Sequence, residues 1–144
     1  MKIEWGSQMT IDEWLADSNN QNKNNVYKIR KPIRAISIFA GIGAQIAALK
    51  RLDYPVEDYK ISEWDVNAVK QYNAMHFQDD TDYSKGISID KIIDYLDNKG
   101  CSLDGKDSLP KEKMIKKGEK WIRETYNNYI ATHNMGSILQ MKGG

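Results

Sequence analysis

A chain of 144 residues, 40% hydrophobic and 28% charged, has the length of one domain and an ordinary globular composition. Its 21 basic and 20 acidic residues leave a net charge of +1, without the basic excess that a free-standing nucleic-acid binder draws on. One cysteine and two histidines (Cys101, His76, His133) exclude an intrachain disulfide and argue against a metal site. No apolar run is long enough to span a bilayer, and Met1-Lys2-Ile3-Glu4-Trp5 lacks the apolar core of a signal peptide, so a cytoplasmic, non-membrane protein is expected.

Residues 10–16 fit a short helix, because Thr10-Ile11-Asp12-Glu13 has the capping-box pattern and Trp14 and Leu15 begin an apolar face. The Asn-rich run 18–25 cannot bury surface and reads as a linker, so residues 1–30 form an appendage. A βαβ unit is expected over 31–78. Residues 34–39 (Arg-Ala-Ile-Ser-Ile-Phe) fit a buried strand, broken by Gly41-Ile42-Gly43. A helix follows over 44–52 with Ile46, Ala47 and Leu49 on one side, then a strand over 59–62 and a helix over 65–75.

The segment 79–135 has a different pattern. Ile89, Ile92, Ile93 and Leu96 share a helical face, residues 100–110 read as a polar loop, and one long helix is expected from 111 to about 133. Trp121, Tyr126 and Tyr129 with Lys116, Lys117, Lys120 and Arg123 fit either a nucleic-acid face or an apolar stripe with its lysines in water. Residues 136–144 would start another strand, at 137–140. The expected class is α/β: the start of a doubly wound, Rossmann-like sheet with a helical insertion.

The turn Phe39-Ala40-Gly41-Ile42-Gly43 lies where a parallel sheet accepts a nucleotide-like ligand. Ile46 stands where the dinucleotide fingerprint needs a third glycine, which argues against NAD or FAD, and no Gly-Lys-Ser/Thr phosphate loop is present. An ordinary tight turn would read the same. Glu63 ends the second strand about 20 residues onward, where a carboxylate can accept ribose hydroxyls. Trp64 beside it offers a flat face to a base. In the competing reading, Glu63 is a solvated charge and Trp64 a core aromatic.

The segment Ile36-Ser37-Ile38-Phe39-Ala40-Gly41-Ile42-Gly43-Ala44 resembles the first motif of the C5 cytosine-specific DNA methyltransferases, usually Asp-Leu-Phe-Ala-Gly-Ile-Gly-Gly. The segment from Ser62-Glu63-Trp64-Asp65 to Asn73-Ala74-Met75-His76 resembles their second. The resemblance covers 33–76 and implies S-adenosylmethionine as cofactor. It implies Phe39 stacked on the adenine, Gly41 and Gly43 in the close turn with Ala40 and Ile42, Glu63 on the ribose and Trp64 flanking the adenine. Ser37 and Ala44 depart mildly from the pattern. A third motif, Gly-Asp-Ile, is matched by Gly136-Ser137-Ile138, with Ser137 where an acid stands; the match makes 77–133 an insertion unusual for the family.

The family's chemistry uses a Pro-Cys nucleophile, a Glu-Asn-Val glutamate and an Arg-x-Arg pair, and none of the three occurs here. Cys101, in Gly100-Cys101-Ser102, is not expected to act as the nucleophile, and no catalytic residue is assigned. The resemblance therefore implies the cofactor-binding part of a DNA (cytosine-5-)-methyltransferase of restriction–modification or phage type. It would be truncated before the nucleophile and inactive alone, with DNA the substrate of the complete enzyme. A second polypeptide would then supply the catalytic half. The alternatives are a catalytically empty fragment or subunit that binds S-adenosylmethionine or a partner protein, and an unrelated α/β protein.

Overall fold

Alternation of short β-branched runs with helical periods produces a mixed α/β arrangement, seen in a computed structural model that describes residues 31–141. The expected helix over 10–16 and linker over 18–25 lie outside the described residues. Strand β1 (Ile33–Ile38) leads through the glycine turn to helix α1 (Ala44–Arg51) and strand β2 (Val56–Ser62). The two strands pair in parallel, Ile33 opposite Val56 and Ile38 opposite Ser62, with a register shift between Ala35 and Ile36.

A third segment joins β2 near its end. Asn134 bridges Ile61 in parallel, and Met135 N–H donates to the Ile61 carbonyl at 2.8 Å. The strand expected at 137–140 is instead a single 3-10 turn, Ile138–Gln140. Ser137 causes it: its hydroxyl caps the turn by accepting from Leu139 N–H at 3.3 Å, so the chain curls away from the sheet. The buried strand expected at 34–39 is only half right. Ser37 is buried, but Ile36 and Ile38 are 55% and 47% exposed, because no described element covers that face.

Helix α2 (Val66–Tyr72) is capped by Asp65, whose carboxylate accepts from Asn67 N–H at 2.8 Å. It runs into a π-turn, Asn73–Phe77, closed by Gln78 N–H donating to the Asn73 carbonyl at 2.7 Å. The Asn73 carboxamide is tied to the Asp79 backbone and to Asn128, which holds the wider turn open.

Helix α3 (Ile89–Lys99) buries Ile92, Ile93 and Leu96, the face its spacing predicts. The long helix expected from 111 is two helices, α4 (Lys111–Lys117) and α5 (Glu119–Ala131). Gly118 between them has φ 87° and ψ 161°, a conformation essentially reserved for glycine. The bend lets Met114 of α4 and Ile122 and Tyr129 of α5 close over α2 and α3 in one core with Val66, Val69 and Leu109. Cys101, expected in a polar loop, is fully buried there, and burial pushes its thiol up to about 12. A second, smaller core joins Ala40, Ile46, Ile61 and Tyr72 beneath the glycine turn.

Two glycine substitutions separate strain from collision. A Cβ at Gly118 would meet nothing among the described residues, so Gly118→Ala costs conformational strain alone, about 1–3 kcal/mol in urea denaturation. At Gly136 (φ 85°) a Cβ would strike the Lys99 backbone, 2.9 Å from its Cα and closer still to its carbonyl oxygen. Gly136→Ala is expected to cost more than Gly118→Ala; an equal or smaller loss would contradict the packing described.

Candidate functional site

The C-terminal ends of β1 and β2 and the returning segment 134–139 enclose a cavity of about 280 Å³. Phe39, Trp64, Ile138 and Leu139 give it apolar walls; Ser62, Glu63, Gly136 and Ser137 supply polar groups. A small number of polar groups among apolar walls is the usual make-up of a small-molecule site. The cavity opens at the sheet ends, where parallel sheets bind ligands.

Phe39 stands at its mouth. Its backbone is left-handed (φ 53°) and its side chain is 69% exposed. A bulky residue with φ above zero is uncommon and costs free energy, and here the strained backbone holds an aromatic ring in the open. The turn beyond Phe39 is fixed by other parts of the fold. Gly43 (φ 84°) lies so close to Tyr72 and His76 that a Cβ would come within 2.7 Å of the tyrosine ring and nearer still to the imidazole. His76, placed by the π-turn, lies with Nε2 2.9 Å from the Ile42 carbonyl. Glycine is thus required at position 43 by a neighbouring helix. At Gly41 (φ 53°) no atom of the described residues lies within 4 Å of a Cβ position, leaving room beside the cavity.

Glu63 is the hub. Its Oε1 accepts from Trp64 N–H and from Asp65 N–H, each at 2.9 Å. Its Oε2 accepts from Gly41 N–H at 2.7 Å, tying the glycine turn to the end of β2. A carboxylate has about four acceptor positions, so three bonds leave one for a ligand hydroxyl. Trp64 is held through its carbonyl, which accepts from Ser102 N–H at 2.7 Å and from the Tyr129 hydroxyl at 3.1 Å. Burial raises the Tyr129 phenol, which keeps it a donor.

Of the residues singled out in the sequence, Phe39, Glu63, Trp64 and Ser137 line the cavity together, and Gly41 reaches it through Glu63. Ala40, Ile42 and Gly43 are not in the lining. Ala40 belongs to the small core, Ile42 is half exposed, and Gly43 faces His76 and Tyr72. Sequence reading missed Ser62, Asn134 and Leu139. Ser62 Oγ donates to the Gly136 carbonyl at 2.8 Å, and Asn134 joins β2 to the returning segment. Neither shows a local pattern, because each acts across more than 70 residues of chain.

A larger cavity, about 470 Å³, lies between the π-turn, the loop after it and α5. Several of its polar side chains are engaged with one another: Asn127 with Asp82, Lys70 with Glu124, and Asn73 with Asn128. The basic–aromatic helix face resolves in favour of packing. Tyr129 is buried, Trp121 and Tyr126 pack on the main core, and Arg123 is bound to Glu119 and to two backbone carbonyls. Among the described residues no cluster of His, Cys, Asp or Glu could hold a metal, and no helix is long and apolar enough to cross a membrane.

No protein-family model matches the chain. It is 32% identical, over 117 residues, to the orphan methyltransferase M.SssI of Spiroplasma monobiae (strain ATCC 33825 / MQ-1). The chain belongs to the C5 cytosine-specific DNA methyltransferase family. The match covers 78% of this chain and 30% of that relative, so the chain spans less than a third of the relative's length.

Glu63→Gln tests the hub. An amide in place of the carboxylate must turn its NH2 toward at least one backbone N–H, leaving a donor unpaired. A loss of roughly 1–3 kcal/mol in urea denaturation is expected. Stability equal to wild type would mean that the three bonds to Glu63 do not hold the turn.

Proposed function

We propose that the cavity between Phe39, Glu63, Trp64 and Ser137 binds S-adenosylmethionine, and that the chain is the cofactor-binding portion of a Rossmann-like DNA (cytosine-5-)-methyltransferase. The observation that carries this reading is the convergence of Phe39, Glu63, Trp64 and Ser137, from three separate stretches of sequence, on one cavity. Family membership supports methyl transfer as the class of reaction. The transfer proposed is from S-adenosylmethionine to C5 of cytosine in DNA, in a restriction–modification or phage setting.

The residues present suit the cofactor's chemistry. Phe39 and Trp64 offer two flat faces for a purine. Glu63 keeps one acceptor position for a ribose hydroxyl. Ser137 Oγ accepts from Leu139 N–H, which leaves its hydroxyl proton free to donate to the base. The open space at Gly41 admits a ligand against the backbone. When bound, the cofactor brings an activated methyl group; the residues named here bind and orient it.

A second reading, a polypeptide that binds the cofactor or a partner protein without carrying out transfer, is favoured by one observation. The 144 residues contain no Pro-Cys, Glu-Asn-Val or Arg-x-Arg, and Cys101 is buried with its thiol raised to about 12. A thiol so raised is neutral near neutral pH and a poor nucleophile.

Calorimetric titration of the 144-residue chain with S-adenosylmethionine is expected to show one site. Phe39→Ala should weaken it about tenfold, the equivalent of some 1.4 kcal/mol, with the melting temperature nearly unchanged because the ring is exposed. No heat of binding by wild type would sink the cofactor assignment. In a methylation assay on cytosine-containing DNA, these 144 residues alone are expected to transfer no methyl group. Incorporation of label at C5 would decide against the second reading.

A further inference from the structure

Asn134 does not line the cavity, yet it holds two of its walls. It is 3% exposed. Its side-chain nitrogen donates to the Glu63 carbonyl at 2.9 Å. Its side-chain oxygen accepts from Glu63 N–H at 3.2 Å and from Gly136 N–H at 2.9 Å. The orientation of the carboxamide is dictated by these partners: a flipped amide would set NH2 against two N–H donors and oxygen against a carbonyl.

The consequences run both ways from that side chain. With its N–H and C=O both taken by Asn134, the Glu63 backbone is fixed on each side of Cα, and its carboxylate leaves toward Gly41. With its N–H taken, Gly136 is fixed too; its carbonyl accepts from Ser62 Oγ, and Ser137 follows directly into the cavity wall. The separation between the carboxylate of Glu63 and the hydroxyl of Ser137 is therefore set by a residue that touches neither group.

We infer that Asn134 is a positioning residue for the nucleoside end of the ligand, setting the Glu63 wall against the Ser137 wall. This rests on the cofactor reading of the cavity. A side chain acting only as a core strut would affect folding and leave affinity in the folded protein unchanged.

The test uses the full 144-residue chain, titrated with adenosine and with S-adenosylhomocysteine at a temperature where circular dichroism shows each variant folded. Asn134→Asp keeps the acceptor for both N–H groups but sets an oxygen against the Glu63 carbonyl; Asn134→Ala removes all three bonds. Ile92→Val, in the main core of α2 to α5 and outside the cavity lining, serves as a control that lowers the melting temperature. Both Asn134 variants are expected to lose about tenfold or more in affinity, by the same factor for the two ligands, while the control binds as wild type does. Undiminished affinity in a folded Asn134→Asp overturns the inference alone. An equal loss in Ile92→Val does the same, because affinity would then follow stability. If wild type binds neither ligand, the cofactor reading falls and takes this inference with it. If neither variant folds, the side-chain NH2 resonances of Asn134 in wild type give the answer. They should shift on saturation with S-adenosylhomocysteine while those of Asn128 stay in place, and unmoved Asn134 resonances overturn the inference.

Discussion

One carboxylate holds together the part of this molecule that faces the cavity. Two parallel strands end side by side, and nothing in a β-ladder dictates how the chains continue beyond their last pair. Here Glu63 decides it by gathering the N–H groups of Gly41, Trp64 and Asp65. Backbone donors on a carboxylate make charge-assisted bonds, stronger than neutral ones and hard to replace in kind. The glycine turn after β1 and the start of α2 are thereby referred to the same two oxygen atoms.

The helical segment is part of that construction. Ser102 and Tyr129 both bond the Trp64 carbonyl, and Ser102 O accepts from Val66 N–H at 3.0 Å. The same Tyr129 belongs to the main core with Cys101 and Met114. Helices α3 to α5 therefore support α2 and Trp64 from behind. A minimal βαβ unit cut out at residue 78 would expose Val66 and Val69 and leave the Trp64 carbonyl without its protein donors.

What could be read from the sequence was local. The glycine turn, the acid at the end of β2 and the apolar face of α3 each follow from spacing that one strand or one helical turn imposes. What could not be read was set by contacts between distant segments. The periodicity of 111–133 passes unbroken through Gly118, because the bend is a backbone state that leaves no mark in the apolar pattern. Cys101 has polar neighbours yet is buried, because α2 and the loop after α3 are joined by the Asp65–Ser102 bridge and close with α3 to α5 into one core around it. Ser137 resembles the start of a strand but caps a 3-10 turn. Asn134 carried no signal at all, since a carboxamide in sequence does not reveal that it will bracket the backbone of Glu63. The cavity was legible as a list of candidate residues; which of them face it was not.

Phe39 carries a further consequence. Its backbone sits in a region that disfavours any residue but glycine, while its ring, largely in water, contributes little to the core. On the proposed reading of the cavity, stability and recognition are thus opposed at a single codon. Selection for a hardier protein would replace this phenylalanine with glycine, relieving the backbone at small cost in packing. Selection for ligand would keep the ring and tolerate the strain. An aromatic retained here across laboratory evolution would show which of the two pressures is in force.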